Sequence, residues 1–252
     1  MIAVLDYGIG NLRSAQKAIQ RVGGVAVLAN SPREAEGAAG VVLPGVGAFG
    51  ASRAALARTG LDRVALESIE AGVPFLGVCI GFQLLHEGSE EAPLVAGLGV
   101  LGGRVLALPD GVKRPQMQWN LVEPVDPSPG TPGPPSPPGT PGPPSPASTP
   151  GPPGTPGPPS RPSRLVESLG PEPWAYFVHS YAVEAGPDTV ATCDYGGPVV
   201  AAVERGPLWG TQFHPEKSGP VGLGLLAAFV QLCGAAAQEA PAPVPGLAAA
   251  GR

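Results

Sequence analysis

Residues 127–163 hold eighteen prolines and seven glycines in 37 positions, a stretch that fits neither a helix interior nor a central strand. Proline lacks the amide hydrogen that either ladder needs, so the core must be built from what lies on both sides. From Gly130 to Gly157 the glycines keep one three-residue frame, yet Ser136, Ser145 and Ser148 occupy frame positions where a collagen strand needs glycine. A triple helix fails at each such position. The segment reads as a disordered, repeat-expanded polyproline II loop inserted into a folded unit. A docking site for a proline-binding module and a collagen-like assembly are the competing readings.

What remains suits one α/β domain made of residues 1–126 and 164–234, with an Ala- and Pro-rich tail over 235–252 expected to be disordered. Aromatic residues are 5% and charged residues 14% of the chain, so Ala, Val and Leu must fill most of the core. A net charge of −5 gives no basic footprint for nucleic acid or an anionic membrane surface. No unbroken run of eighteen apolar residues occurs, so no membrane span is expected. Residues 1–6 read as an immediate strand rather than a secretory signal. Cys79, Cys193 and Cys233 are too few and too scattered for a disulfide framework or a metal cluster. The expectation is a reduced cytoplasmic protein with no metal and no cofactor.

Short apolar runs at 2–5, 25–28, 41–43 and 73–78 alternate with helical patterns at 12–22 and 51–71. Buried strands alternating with helices predict a mostly parallel sheet covered on both faces. After residue 104 the character changes. Runs at 104–108, 119–125, 175–183, 190–193, 199–204 and 208–213 follow one another through short turns, predicting antiparallel or mixed sheet closed by a helix over 221–232.

The most informative decapeptide is Pro74-Phe75-Leu76-Gly77-Val78-Cys79-Ile80-Gly81-Phe82-Gln83. It reads strand, cysteine, helix, with a glycine two places before and two places after the sulfur. That is the spacing of a nucleophile elbow with Cys in the nucleophile position, since a side chain at Gly77 or Gly81 would crowd the sharp turn. Free N–H groups at the start of the following helix, from Ile80 onward, favour a thiolate and an oxyanion. A partner base must come from elsewhere in the chain. His214-Pro215-Glu216 closes a strand, and alternate residues of an extended segment share a face, so Glu216 can hold the imidazole of His214. Proline at 215 is expected to keep that segment extended. Cys79, His214 and Glu216 then form nucleophile, base and orienting carboxylate. His86 falls in the helix after the elbow and is read as structural, and Cys193 and Cys233 as buried thiols. His179 sits in a strand without an adjacent carboxylate, which suits a structural or gate-lining role. Pro44-Gly45-Val46-Gly47 follows a strand expected beside the elbow, and its glycines let backbone N–H groups turn toward a substrate.

Gly-Val-Cys-Ile-Gly-Phe-Gln at 77–83 together with Thr-Gln-Phe-His-Pro-Glu at 211–216 resembles the class I glutamine amidotransferases. Four further segments resemble one branch, the glutaminase subunits of imidazole glycerol phosphate synthase. These are Asp6-Tyr7-Gly8-Ile9-Gly10-Asn11, the Pro44–Phe49 segment, Pro115-Gln116-Met117-Gln118-Trp119-Asn120 and Phe177-Val178-His179-Ser180-Tyr181. The resemblance implies a flavodoxin-like α/β fold with a mixed central sheet and helices on both faces. It also implies hydrolysis of L-glutamine to glutamate and ammonia. The partner implied is a separate (β/α)₈ barrel cyclase forming a heterodimer, which uses the ammonia to make imidazole glycerol phosphate and AICAR in histidine biosynthesis. Carried onto this chain, Cys79, His214 and Glu216 are the triad, and Val46, Gly47, Ile80 and Gln83 serve the oxyanion and the glutamine. Asn11, Trp119, His179, Tyr181 and Lys217 lie at the interface or gate. This chain has Gln118 where the family usually has glycine, so a differently shaped gate is expected there. The competing functions are another enzyme of the class, such as the glutaminase of pyridoxal phosphate synthase, a cysteine peptidase on the same scaffold, or a non-catalytic scaffold protein.

Overall fold

In the computed structural model, residues 1–125 and 163–239 are described; the proline-rich reading, except Ser163, and most of the C-terminal tail fall outside them. The first half alternates as expected. β1 (Ile2–Leu5), α1 (Leu12–Arg21), β2 (Ala26–Ala29), α2 (Pro32–Ala35) and β3 (Gly40–Leu43) lead to two helices, α3 (Phe49–Thr59) and α4 (Leu61–Glu70). The periodicity over 51–71 predicts one helix there. Gly60 divides it, because its φ of +69° ends the first helix in a left-handed turn that costs glycine little. β4 (Phe75–Val78) follows, then the single-turn α5 (Ile80–Gln83).

The second half is built of short strands. β5 (Gly88–Ser89) and β6 (Ala92–Ala96) form a hairpin that the apolar pattern does not announce. β7 (Arg104–Ala107), β8 (Gln116–Leu121) and β9 (Glu123–Pro124) come before the proline-rich stretch, and α6 (Arg164–Glu167) comes after it. β10 (Trp174–His179), β11 (Tyr181–Val183), β12 (Thr189–Asp194), β13 (Pro198–Arg205) and β14 (Leu208–Thr211) complete the strands, and α7 (Gly219–Glu239) closes the chain.

Eight strands form the central sheet in the order β2-β1-β3-β4-β14-β13-β12-β9. Pairing is parallel from β2 through β14 and antiparallel from β14 to β9, a mixed sheet. All four residues of β1, β3, β4 and β14 are buried. Since alternate side chains point to opposite faces, burial of every position means that helices cover both. The segment at 175–183 is not one strand. It breaks at Ser180, so that β10 pairs antiparallel with β8 while β11 joins a separate sheet beside β7. The break hands the chain from one small sheet to another over the end of β4.

The last helix passes the expected start of the tail by five residues. Ala235, Ala236 and Ala237 carry the highest helix propensity of any residue, and the turn they form continues α7 to Glu239. Its Gly219–Gln238 portion has a mean hydropathy of 1.8 and is long and apolar enough to cross a membrane by length and composition. Gln231 interrupts the apolar run, and Leu225, Leu226, Phe229 and Cys233 are buried within the fold. At its start, an added Cβ on Gly222 would lie 1.9 Å from the Pro215 carbonyl oxygen, so the helix packs directly on the turn that carries Glu216.

Candidate active site

Cys79 stands between β4 and α5 with φ at +52°, among the described residues the one non-glycine in the left-handed region. A side chain held there costs roughly 1–3 kcal/mol, which the surrounding structure must over-determine. Its N–H is tied to the Thr211 carbonyl at 2.8 Å, continuing the parallel pairing of β4 with β14. The neighbouring glycines explain how the bend is tolerated. An added Cβ on Gly81 would sit 1.8 Å from the Leu43 oxygen, and one on Gly77 would sit 2.9 Å from the Phe82 Cα. Both contacts are with backbone, which cannot swing aside.

The same β4–β14 pairing delivers the imidazole. Chain leaving Thr211 runs through Gln212 and Phe213 to His214, whose N–H donates to the Tyr176 carbonyl at 3.1 Å. His214 Nδ1 meets Glu216 Oε1 at 2.8 Å. The backbone route differs from the extended one read from the sequence. Proline keeps His214 itself extended, at φ −97° and ψ 100°, but Pro215–Lys217 curls into a 3₁₀ turn that brings Glu216 back under the ring. Burial alone would lower the proton affinity of His214. Cys79 and the Glu216 carboxylate reverse that effect and raise its pKa to about 10. With Nδ1 on Glu216, the remaining nitrogen, Nε2, is buried and has no hydrogen-bond partner.

Cys79, His214, Val46, Gly47, Ile80 and Gln83 line one cavity of about 350 Å³, and His179, Tyr181 and Lys217 close its other wall. The Cys79 thiol points toward the Val178 carbonyl at 4.0 Å and accepts a contact from Gln212 Nε2 at 3.7 Å. Gln83 donates to the Tyr181 carbonyl at 2.8 Å and to Gln212 Oε1 at 3.0 Å, while its own Oε1 is buried without a partner. The loop at 44–47 crosses the start of α5. A Cβ on Gly45 would lie 2.9 Å from the Gly81 nitrogen, whereas one on Gly47, at φ +88°, would meet nothing within 4 Å.

Asn11 and Trp119 do not reach this cavity: both are exposed on the surface, Trp119 edge-on to Tyr176. Gln118 occupies a regular position of β8 opposite Phe177 and is exposed, so the departure there falls in a strand rather than a loop. His86 is buried but lies past the end of α5. Its Nδ1 is 3.3 Å from the Phe82 carbonyl, and burial pushes its pKa down to about 4. Cys193 and Cys233 are buried free thiols. Among the described residues, no three His, Cys, Asp or Glu side chains gather as a metal site would require.

Two residues at the site escape the sequence reading. Glu91 lines the cavity and accepts the Phe49 N–H at 2.8 Å, which places a carboxylate on the wall of the cavity that Cys79 shares. It lies in the hairpin that the hydropathy pattern does not reveal. Tyr7 is buried, and its hydroxyl donates to the Pro44 carbonyl at 2.7 Å, bracing the loop before Val46. Its place in Asp-Tyr-Gly was the only signal, and that segment reads as a turn.

Residues 3–231 match the family glutamine amidotransferase class-I. Over 229 residues, 90% of this chain and 91% of the relative, the sequence is 43% identical to the imidazole glycerol phosphate synthase subunit HisH of Symbiobacterium thermophilum. It is 40% identical to the HisH subunit of Methanothermobacter thermautotrophicus, covering 92% of this chain and 98% of that one. Among solved structures, a crystal structure of a glutamine amidotransferase superposes with a TM-score of 0.62 at 19% identity, covering 92% of this chain and 98% of the other. PurLQS from Thermotoga maritima gives 0.63 at 16% identity, covering 91% of this chain and 97% of its counterpart. At those identities the superpositions bear on the fold alone.

Proposed function

We propose the reaction from membership: the chain belongs to the glutamine amidotransferase class-I family and, within it, to the HisH subunits of imidazole glycerol phosphate synthase. It is the glutaminase subunit of that synthase, acting in histidine biosynthesis, and it works with a partner subunit. We infer that its substrate is L-glutamine and that the carboxamide carbon is attacked by the Cys79 sulfur. The observation that carries this reading is the 2.8 Å contact of Glu216 on His214, with the other imidazole nitrogen left free in a cavity that Cys79 shares.

In that reading, His214 already holds the proton of the Cys79 thiol, as its raised pKa favours, and the carbonyl oxygen gains negative charge as the sulfur forms the S–C bond. Glu216 keeps the imidazole in the tautomer that presents Nε2 and stabilises it once protonated. Backbone N–H groups of the Val46–Gly47 loop and the start of α5 face the developing oxyanion. His214 returns the proton to the nitrogen, the C–N bond breaks, and ammonia leaves a thioester on Cys79. A water molecule gives its proton to His214 and attacks the thioester, releasing glutamate and restoring the thiol. The Glu91 carboxylate suits the α-ammonium of glutamine, and Gln83 Oε1 supplies a further acceptor.

The loop gives a physical basis for partner control. Gly47 is sterically free while Tyr7 pins the carbonyl of Pro44, so the peptide between Val46 and Gly47 is the one able to turn. One oxyanion donor is worth about 2.7–4 kcal/mol of transition-state stabilisation. A resting orientation lacking that donor keeps the isolated subunit slow, and partner docking shifts the population. Met117, Trp119 and Trp174, 62%, 48% and 50% exposed, with Tyr176 beside Trp119, form an apolar face on the β8–β10 ribbon that suits a (β/α)₈ barrel cyclase in a heterodimer. Lys217, 5.9 Å from the Tyr176 ring, adds a cation at its border. The complex would work in the cytoplasm, where glutamine is supplied. Cys79→Ser in the assembled enzyme should abolish glutamine-dependent turnover while leaving turnover on added ammonia intact. Retention of glutamine-dependent turnover would overturn this reading.

A further inference from the structure

The glutaminase reading leaves one buried polar atom at the site unused. His179 is 6% exposed and lines the same cavity as Cys79 and His214. Its Nδ1 lies 2.9 Å from the Tyr181 carbonyl, which can only accept, so Nδ1 carries the hydrogen and Nε2 carries a lone pair. That lone pair is buried and has no partner. A buried acceptor without a donor is destabilising, so a site that keeps one has a use for it when occupied.

The position says which donor it meets. His179 and His214 both line the cavity that holds the Cys79 sulfur, so the two rings border one space. His214 must hand its proton to the leaving nitrogen, which therefore departs in that region. We propose that His179 Nε2 accepts an N–H from the carboxamide of glutamine and then from the ammonia it becomes, orienting the nitrogen's lone pair toward the proton on His214. The proposal rests on the glutaminase reading and adds a substrate-contacting residue to it.

Two neighbouring features suit this task. Gln116 stands directly across from His179 in the β8–β10 register, so the two side chains share a face. Its amide nitrogen is engaged by the Cys193 sulfur at 3.8 Å, and its Oε1 is likewise buried and unpartnered. Gln116 does not itself line the cavity, so on this face His179 Nε2 is the acceptor that ammonia can reach. Burial and the adjacent imidazole also hold the His179 pKa down at about 4, so the ring stays neutral and cannot protonate the product.

The test uses the chain assembled with its cyclase subunit and two substrates, L-glutamine and L-glutamate γ-methyl ester, whose leaving group has no N–H. His179→Phe keeps a ring against Phe177 but removes the acceptor. It should lower kcat/KM for glutamine about tenfold and leave the ester within about twofold, the loss of one hydrogen bond. His179→Gln, which can place an acceptor near the Nε2 position, should recover part of the loss on glutamine. Equal losses on amide and ester, or no loss on either, would overturn the proposal while leaving the glutaminase reading standing. If both variants are too unstable to assemble, the position is structural and the proposal is wrong. Absence of glutamine hydrolysis by the unaltered complex would overturn the glutaminase reading, and the proposal with it.

Discussion

The parallel half of the central sheet and the antiparallel half contribute to the site in different ways. In the parallel half, Cys79 is placed by local sterics: two glycines, a backbone turned to positive φ, and a loop packed against the next helix. His214 follows β14, the strand where the parallel and antiparallel halves meet, and nothing local fixes it beside the sulfur. Its place depends on β14 pairing with β4, residues more than 130 positions apart along the chain. A nucleophile set by its neighbours and a base set by topology fail differently, and that difference can be probed.

The largest effect should come from the base side. Glu216→Gln preserves shape but removes the charge that holds the His214 tautomer, and should lower kcat for glutamine about 10³–10⁴-fold with the fold intact. Steady-state kinetics beside a circular dichroism melt would show it. A drop in stability as large as the drop in rate would mean that the two halves are not separable.

On the nucleophile side the order reverses. Gly81→Ala, with its Cβ 1.8 Å from the Leu43 oxygen, should destabilise the fold by about 3 kcal/mol or more, read from denaturant midpoints. Gly77→Ala, at 2.9 Å, should cost less. Equal tolerance of both would break the claim that local packing sets the bend.

A third measurement compares the histidines by pH. His86 and His179 have folded pKa values lowered to about 4, so their stabilising contribution is present above about 6.5 and is lost as pH falls toward 4. His214 has the opposite sign: its contribution is present below about 6.5 and is lost as pH rises toward 10. His86→Phe should flatten the acid limb of the stability profile by on the order of 3 kcal/mol and leave the alkaline limb unchanged. A change confined to the alkaline side would contradict the assignment.

The smallest effect on stability belongs to the exposed ribbon. Trp119→Ala should shift the stability of the isolated chain by no more than about 0.5 kcal/mol and weaken partner binding about tenfold or more, measured by titration calorimetry.

The same contrast explains what the sequence made legible. The elbow could be read because its requirements are local: glycines at 77 and 81 around a cysteine leave few alternatives. His214 and Glu216 were legible as neighbours, although the 3₁₀ turn that joins them was not, because proline permits that turn as readily as an extended chain. Glu91 and the hairpin that bears it were missed, since strands of two and five residues with Leu94 fully outward show no alternation. The break at Ser180 was invisible for another reason. Two strands in different sheets can follow one another without any polar residue strong enough to announce a turn, and only pairing with β8 and β7 separates them.

The positive φ at Cys79 has a consequence for how such a chain endures. Glycine occupies that backbone region without penalty, so Cys79→Gly should fold more firmly than the working protein. Here a more durable molecule and a functional one are different molecules. Pressure for robustness alone would discard the sulfur, and its presence marks a lineage held to its chemistry at some cost in sturdiness.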